Sequence, residues 1–244
     1  AAHVRFVPKS SSSGTWQKLK EMPDRWTMKY KVKGADKFIQ FRLGLTSFKH
    51  VGIFPEQAVN WDYIGQSVTK MGPGAKVLNL FAYTGGASLA AKAAGADIIH
   101  LDSIKQVVTW ASENMELSGL KDIRWVVEDA MAFVKKEVRR GKKYNGIILD
   151  PPAYGHGTDG QKWKLEDQIN EMMKYVLDLL DEPDKHDLHL AGRLDLNTSG
   201  LLLITNDGRW SRRITQPQQR KPKVYLVDTE QPITAEYAEV FAQG

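Results

Sequence analysis

The sequence predicts an α/β protein built on a doubly wound, mostly parallel sheet, with a basic segment before it and a smaller α+β piece after it. Three observations carry this expectation. From residue 75 onward, four short apolar strand segments alternate with four amphipathic helical ones. Four β-α units in a row imply parallel strands joined by right-handed crossovers. A chain of 244 residues with 42% hydrophobic composition also has enough apolar material for a sizeable core.

Taken in order, the first 49 residues carry eleven Lys or Arg against three acids, interleaved with Phe6, Trp16, Trp26, Tyr30, Phe38 and Phe41. Cations that neutralise phosphates, together with ring faces for stacking, make the composition of a nucleic-acid surface. An ordinary β-rich segment with lysines on its solvent face has the same composition. Ser10–Gly14 is expected to form a loop, and the missing initial Met suggests numbering that starts inside a longer chain. Strand 76–81 then leads to an Ala-rich helix at 86–94, strand 97–101 to helix 104–118, strand 123–127 to helix 130–140, and strand 144–149 to helix 165–180. The acidic, polar stretch at 181–187 contains Pro183, which cannot continue a helix. Beyond it the pattern predicts strand 200–205, a short helix or turn at 210–214, strand 224–227 and a closing helix at 235–242. The expected division is therefore 1–74, 75–181, a junction at 182–190, and 191–244.

Charge and composition set limits on function. With 34 Lys and Arg against 29 Asp and Glu, the formal charge is +5 and the pI about 9.2, a balance that permits a nucleic-acid partner without requiring one. The absence of cysteine excludes disulfides, thiolate metal sites and thiol nucleophiles. No two histidines have zinc-ligand spacing, and no metal is expected. No apolar run reaches the length of a membrane span, and the start lacks a secretory apolar core, so a soluble, cytoplasmic protein without a membrane partner is expected. Nothing in the sequence sets the oligomeric state.

In open α/β sheets, ligands sit beyond the carboxyl ends of the strands. The first strand runs through Asn79, Phe81, Ala82, Tyr83 and Thr84 into the pair Gly85-Gly86 at a helix start. Glycines there let the backbone approach a ligand and leave helix N-terminal NH groups exposed, although a plain strand-to-helix connection looks the same. The pattern is not GxGxxG, which argues against a dinucleotide. The second strand ends at Asp102, about 20 residues past the glycines, where a carboxylate accepts both ribose hydroxyls of an adenosine. Capping of the next helix is the rival role. After the third strand come Glu128, Asp129 and Ala130, where Asp129 is placed either to accept from an adenine amine or to cap. The fourth ends in Asp150-Pro151-Pro152-Ala153-Tyr154. Its prolines remove two donors, so the neighbouring carbonyls and the Asp150 carboxylate are expected to face a substrate unpaired.

Together these residues resemble the class I S-adenosylmethionine-dependent methyltransferases, and more closely the ribosomal RNA large-subunit methyltransferase family. Gly44 to His50, the run Phe54-Pro55-Glu56-Gln57, and Asn60-Trp61 carry the likeness further, over about 41–180. The resemblance implies S-adenosylmethionine as cofactor, held by Asn79, Ala82, Tyr83, Thr84, Gly85 and Gly86, with Asp102 and Ser103 at the ribose and Asp129 and Ala130 at the adenine. It implies an RNA target, ribosomal first, met by Asp150, Pro151, Pro152 and Tyr154. Without cysteine, thiolate attack on a pyrimidine is closed, which disfavours cytosine C5 and leaves amine, ring nitrogen or ribose hydroxyl targets.

A second constellation reads Ala191-Gly192-Arg193-Leu194-Asp195 and continues to Gly208. From spacing alone, Arg193 and Asp195 form a structural ion pair. The string resembles the catalytic motif of the small-subunit type of pseudouridine synthase, which implies Asp195 as nucleophile toward uridine, with Arg193 and Tyr225 at matching positions. Arg209, Arg212, Arg213 and Lys223 belong to a stretch of six basic residues and no acid, which suits an RNA backbone. Both likenesses are partial: the first stops after four of the class's usual seven strands. One arrangement reconciles them, in which 200–205 adds a fifth strand beside 144–149 and 224–227 a further one, so that the second piece serves as scaffold.

Overall fold

Alternation of apolar and polar residues places two antiparallel hairpins before the first helix. The computed structural model describes residues 2–10, 13–46, 50–156, 160, 162–181, 189–190, 204–205, 209 and 211–212. Strand β1 (Val4–Pro8) pairs with β2 (Gly14–Lys18), and β3 (Arg25–Lys31) with β4 (Phe38–Gly44). On β3, Trp26, Met28 and Tyr30 turn inward while Arg25, Lys29 and Lys31 are exposed, the period of two that a half-buried strand requires. The β-rich reading of this basic segment is thus what the backbone adopts.

A single 3-10 turn (Pro55–Gln57) leads into α1 (Ala58–Met71). Four β-α units follow: β5 (Lys76–Leu80) and α2 (Gly86–Ala93), β6 (Asp97–Asp102) and α3 (Lys105–Leu117), β7 (Arg124–Val127) and α4 (Ala130–Arg139), and β8 (Gly146–Leu149) with α5 (Leu165–Leu179). The strands are parallel in the order β7-β6-β5-β8. Side chains alternate across the sheet. Val77 and Ile98 join a core with Ile39, Phe41, Trp61 and Leu89, whereas Leu78, Leu80 and Leu101 join one with Phe133, Met172 and Leu179. Covering both faces is what makes the strands read as continuous apolar runs. The order reverses between β5 and β8, so the crevice at their carboxyl ends is the place where such sheets bind ligands.

Two elements differ from the sequence-based expectation. Between β8 and α5 lies a hairpin of β9 (Tyr154–His156) and β10 (Lys162–Lys164). The proposed fifth strand is also not where it was expected. Ile204–Thr205 forms β12, which pairs antiparallel with β11 (His189–Leu190) in a separate two-stranded sheet. The two are close in sequence, so closing this ladder costs little chain entropy. Two residues ahead of β8 the chain leaving α5 comes alongside: Tyr144 bridges Leu180 in parallel, and the Asp181 NH donates to the Tyr144 carbonyl at 2.8 Å. Residues 200–203, and the expected strand 224–227 and helix 235–242, lie outside the described residues. Contacts divide the chain into Ala1–His186 and Asp187–Gly244. In the second unit Arg209, Ser211 and Arg212 are helical and Ser211 is buried.

Candidate functional site

The connection from β5 to α2 is shaped by three residues in the left-handed region: Phe81 at φ 56°, Tyr83 at 49° and Gly85 at 94°. Non-glycine residues rarely adopt such angles, so the turn is held by its surroundings. The Ala82 NH donates to the Leu101 carbonyl at 3.0 Å, and the Tyr83 NH to Asp102 Oδ2 at 2.9 Å. Beneath the turn runs a buried polar chain. Asn79 Nδ2 donates to Ser88 Oγ at 2.8 Å, and Ser88 Oγ lies 3.0 Å from His100 Nδ1. Burial drives His100 down to a pKa of about 3, so the ring is neutral. Thr84 is also buried, its hydroxyl donating to the Gly52 carbonyl at 2.7 Å and its own carbonyl accepting from Asn114 Nδ2 at 3.0 Å.

Asp102 sits at the end of β6 and links it to the turn. Oδ1 accepts from the Ile104 NH at 3.0 Å while Oδ2 takes Tyr83, so the carboxylate braces two backbone segments and makes no cap bond to α3. Burial raises its pKa, and the NH groups of Ile104, Tyr83 and Ser103 oppose that rise. Asp129 does act as a helix cap: it is the N-cap of α4, with Oδ1 accepting from the Ala132 NH at 2.9 Å. Asp102, Ser103, Asp129, Ala130 and Pro152 line one small pocket with Phe81 and Trp163.

A larger cavity of about 320 Å³ opens at the switch point, between the β5 turn and the end of β8. Asn79, Ala82, Tyr83, Thr84 and Gly86 line one side, Ile147–Asp150 another, and Phe54, Gln57, Asn60, Trp61 and Tyr63 close it from the 3-10 turn and α1. Gly85 lines neither pocket; a Cβ there would come within 3.1 Å of Ala111, so it serves turn and packing. At Gly86 a Cβ would lie 2.8 Å from the Trp61 indole, which explains a residue without a side chain where α2 meets α1. Pro151 lines neither pocket.

At the mouth of this cavity Asn60 Nδ2 donates to Gln57 Oε1 at 2.6 Å, and Gln57 Nε2 donates to Asp150 Oδ2 at 3.2 Å. Asp150 is open to solvent on one side and walled on the other, and that enclosure raises its pKa. The expectation of unpaired carbonyls after Asp150 is corrected: the Trp163 indole donates to the Pro152 carbonyl at 2.6 Å, and the Leu165 NH to that of Ala153 at 3.0 Å. The prolines leave no donors of their own, so the hairpin and α5 dock onto these acceptors instead. Tyr154 stands 65% exposed at the start of the hairpin.

In the sequence Gln57, Asn60 and Trp61 stand out only as part of a likeness, and Tyr63 and Trp163 not at all. None of these lies at the carboxyl end of a strand of the parallel sheet. Arg193, Asp195, Arg213, Lys223 and Tyr225 lie outside the described residues, while Arg209 and Arg212 are exposed. Among the described residues no group of His, Asp and Glu has the arrangement of a metal site, and no helix is long and apolar enough to cross a membrane.

Comparison with known proteins places this geometry. Residues 20–182 match the model of S-adenosylmethionine-dependent methyltransferases, and residues 142–239 that of RNA pseudouridylate synthases. The structure of a SAM-dependent methyltransferase from Agrobacterium tumefaciens is similar with a TM-score of 0.68 at 40% identity, over 75% of this chain and 56% of that one. A methyltransferase structure containing SAH has a TM-score of 0.57 at 24% identity, over 68% of this chain and 42% of that one, and shows the fold. The ribosomal small subunit pseudouridine synthase A of Vibrio cholerae is 43% identical over 133 residues, 52% of this chain and 55% of the relative. The chain spans between about a third and just over half of the curated relatives it matches.

Proposed function

Because the chain belongs to the S-adenosylmethionine-dependent methyltransferase family over residues 20–182, we propose that it methylates RNA, ribosomal RNA foremost, at the crevice between β5 and β8. The observation that carries this reading is the cavity at the switch point, with Asp150 at its mouth and the strained β5 turn as its wall. The residues there suit S-adenosylmethionine. The cavity is lined by aromatic rings and a single carboxylate, with no Lys or Arg, which favours a cationic ligand. Gly86 and Ala87, in the first turn of α2, present helix NH groups without intrahelical acceptors, suited to the methionine carboxylate. Asp102 keeps a lone pair for a ribose hydroxyl beyond the backbone NH groups of Tyr83, Ile104 and Ser103. The smaller pocket beside it, with Ser103, Asp129, Ala130 and Pro152, takes the adenine in this reading.

Bound S-adenosylmethionine brings a methyl group already activated on sulfur, so the protein's task is chiefly to position the acceptor. Asp150 accepts a hydrogen bond from the acceptor group and Tyr154 stacks on its base, while Pro151 and Pro152 hold that backbone extended. Calorimetric titration with S-adenosylmethionine tests the cofactor part. Asp102→Ala is expected to weaken binding by about tenfold or more, a loss of ~1.4 kcal/mol, whereas Asp150→Ala is expected to bind cofactor but not methylate ribosomal RNA. A folded wild-type chain that does not bind would remove the reading.

The match over residues 142–239 favours a second reading, uridine isomerisation through Asp195. It is expected to proceed without cofactor and to stop in Asp195→Ala. RNA retention with neither activity would leave a binding protein.

A further inference from the structure

The cavity mouth has a second wall that the strand-end residues do not supply. On α1, Val59 and Tyr63 are one helical turn apart and 72% and 73% exposed, which is unusual for large apolar side chains on a helix whose Trp61, Gly65 and Val68 are buried. Tyr63 lines the cavity, and Tyr154 is exposed at the start of the hairpin that follows Asp150. Aromatic faces left in water at a ligand cavity are what an unstacked nucleobase needs, since base–aromatic stacking is tolerant of sequence.

The polar atoms at the cavity mouth have a direction. Asn60 donates to Gln57 and Gln57 donates to Asp150, so the chain ends on a carboxylate. Among the described residues Asp150 Oδ1 and Asn60 Oδ1 take no hydrogen bond, and both are acceptors. An exocyclic amine offers two N–H groups to them, whereas uracil offers a single N3–H set between two carbonyls. No cation lines the cavity, so a phosphate does not belong inside it.

We infer that the exposed face of α1, with Tyr63 as stacking partner and Asn60 and Gln57 as readers of the base edge, forms the substrate wall of this site and selects an unpaired, amine-bearing nucleobase over uracil. The inference rests on the RNA-directed reading above and adds the residues and the base class. Tyr63 is mostly exposed, so its replacement leaves the core intact and the thermal midpoint serves as a control.

The test is fluorescence anisotropy with end-labelled single-stranded RNA oligonucleotides that share flanks and differ only in the central base, measured at saturating S-adenosylhomocysteine. Oligonucleotides centred on adenine, cytosine or guanine are expected to bind the wild-type chain at least about threefold more tightly than the uracil-centred one. Tyr63→Ala is expected to lose about tenfold in affinity and Tyr63→Phe to stay within about twofold, since stacking needs only the ring. Asn60→Asp keeps an acceptor, whereas Gln57→Leu removes the donor to Asp150 and is expected to erase the base preference. Wild-type RNA binding that Tyr63→Ala leaves unchanged, or that favours uracil, overturns this inference alone; no RNA binding by the wild type overturns the RNA-directed reading with it.

Discussion

His100 shows how much a single residue adds to the site without touching its surface. It is fully buried, bonded to Ser88 and set edge-on to Trp125. Its folded pKa of about 3 lies well below the ordinary histidine value of 6.5, because burial disfavours the charged ring. The unfolded chain therefore binds a proton that the folded chain refuses, and stability is lost as pH falls from about 6.5 toward 3. Between pH 7 and 5 the cost is about 2 kcal/mol. Denaturant unfolding across this range should show a shallower loss in His100→Gln than in the wild type by about that amount; equal slopes would mean that the ring is already solvated. Asp102 and Asp150 act in the opposite direction, since burial raises both carboxyls and folding stability rises slightly as they protonate. Asp102 was legible in the sequence from its place after the glycine turn. Its backbone partners were not, because they depend on how Tyr83 bends.

At the scale of an element, α4 and the β9–β10 hairpin make the instructive pair. Asp129 had two readings, and the structure shows the cap. Asp129→Ala should lower stability by about 1 kcal/mol, and Asp129→Ser should recover most of it. If the Ser variant is as stable as the wild type but binds S-adenosylmethionine more weakly, the carboxylate serves the adenine as well; equal affinity would leave only the cap. The hairpin does have a signal in the sequence: Asp159-Gly160 between Tyr154 and Trp163 is a turn dipeptide. The helices of the α/β part agree with their 3.6-residue pattern to within a residue or two, because burial on one side is written directly into their spacing.

For the whole molecule, the division after His186 has a direct consequence. Among the described residues, those that form the cavity, the β5 turn and both cores all precede that point. A chain ending at His186 should therefore fold with the same far-UV circular dichroism per residue and the same calorimetric affinity for S-adenosylmethionine, within about twofold. Loss of folding in the shortened chain would show that the second unit completes the first, as the fifth-strand expectation held. Within the first unit Leu180, directly after α5, bridges Tyr144 in parallel.

By itself the sequence determined the number and order of the β-α units, the parallel sheet, the family and its cofactor, since hydrophobic period and residues at strand ends depend on neighbours along the chain. Only the tertiary structure decided which carboxylate braces a turn and which caps a helix, that the Pro152 and Ala153 carbonyls are taken, that β12 pairs with β11, and that Gln57, Asn60 and Tyr63 stand across from Asp150. These are meetings between residues as many as 93 positions apart, such as Gln57 and Asp150. No local pattern encodes them, because they form only when packing brings separate elements together.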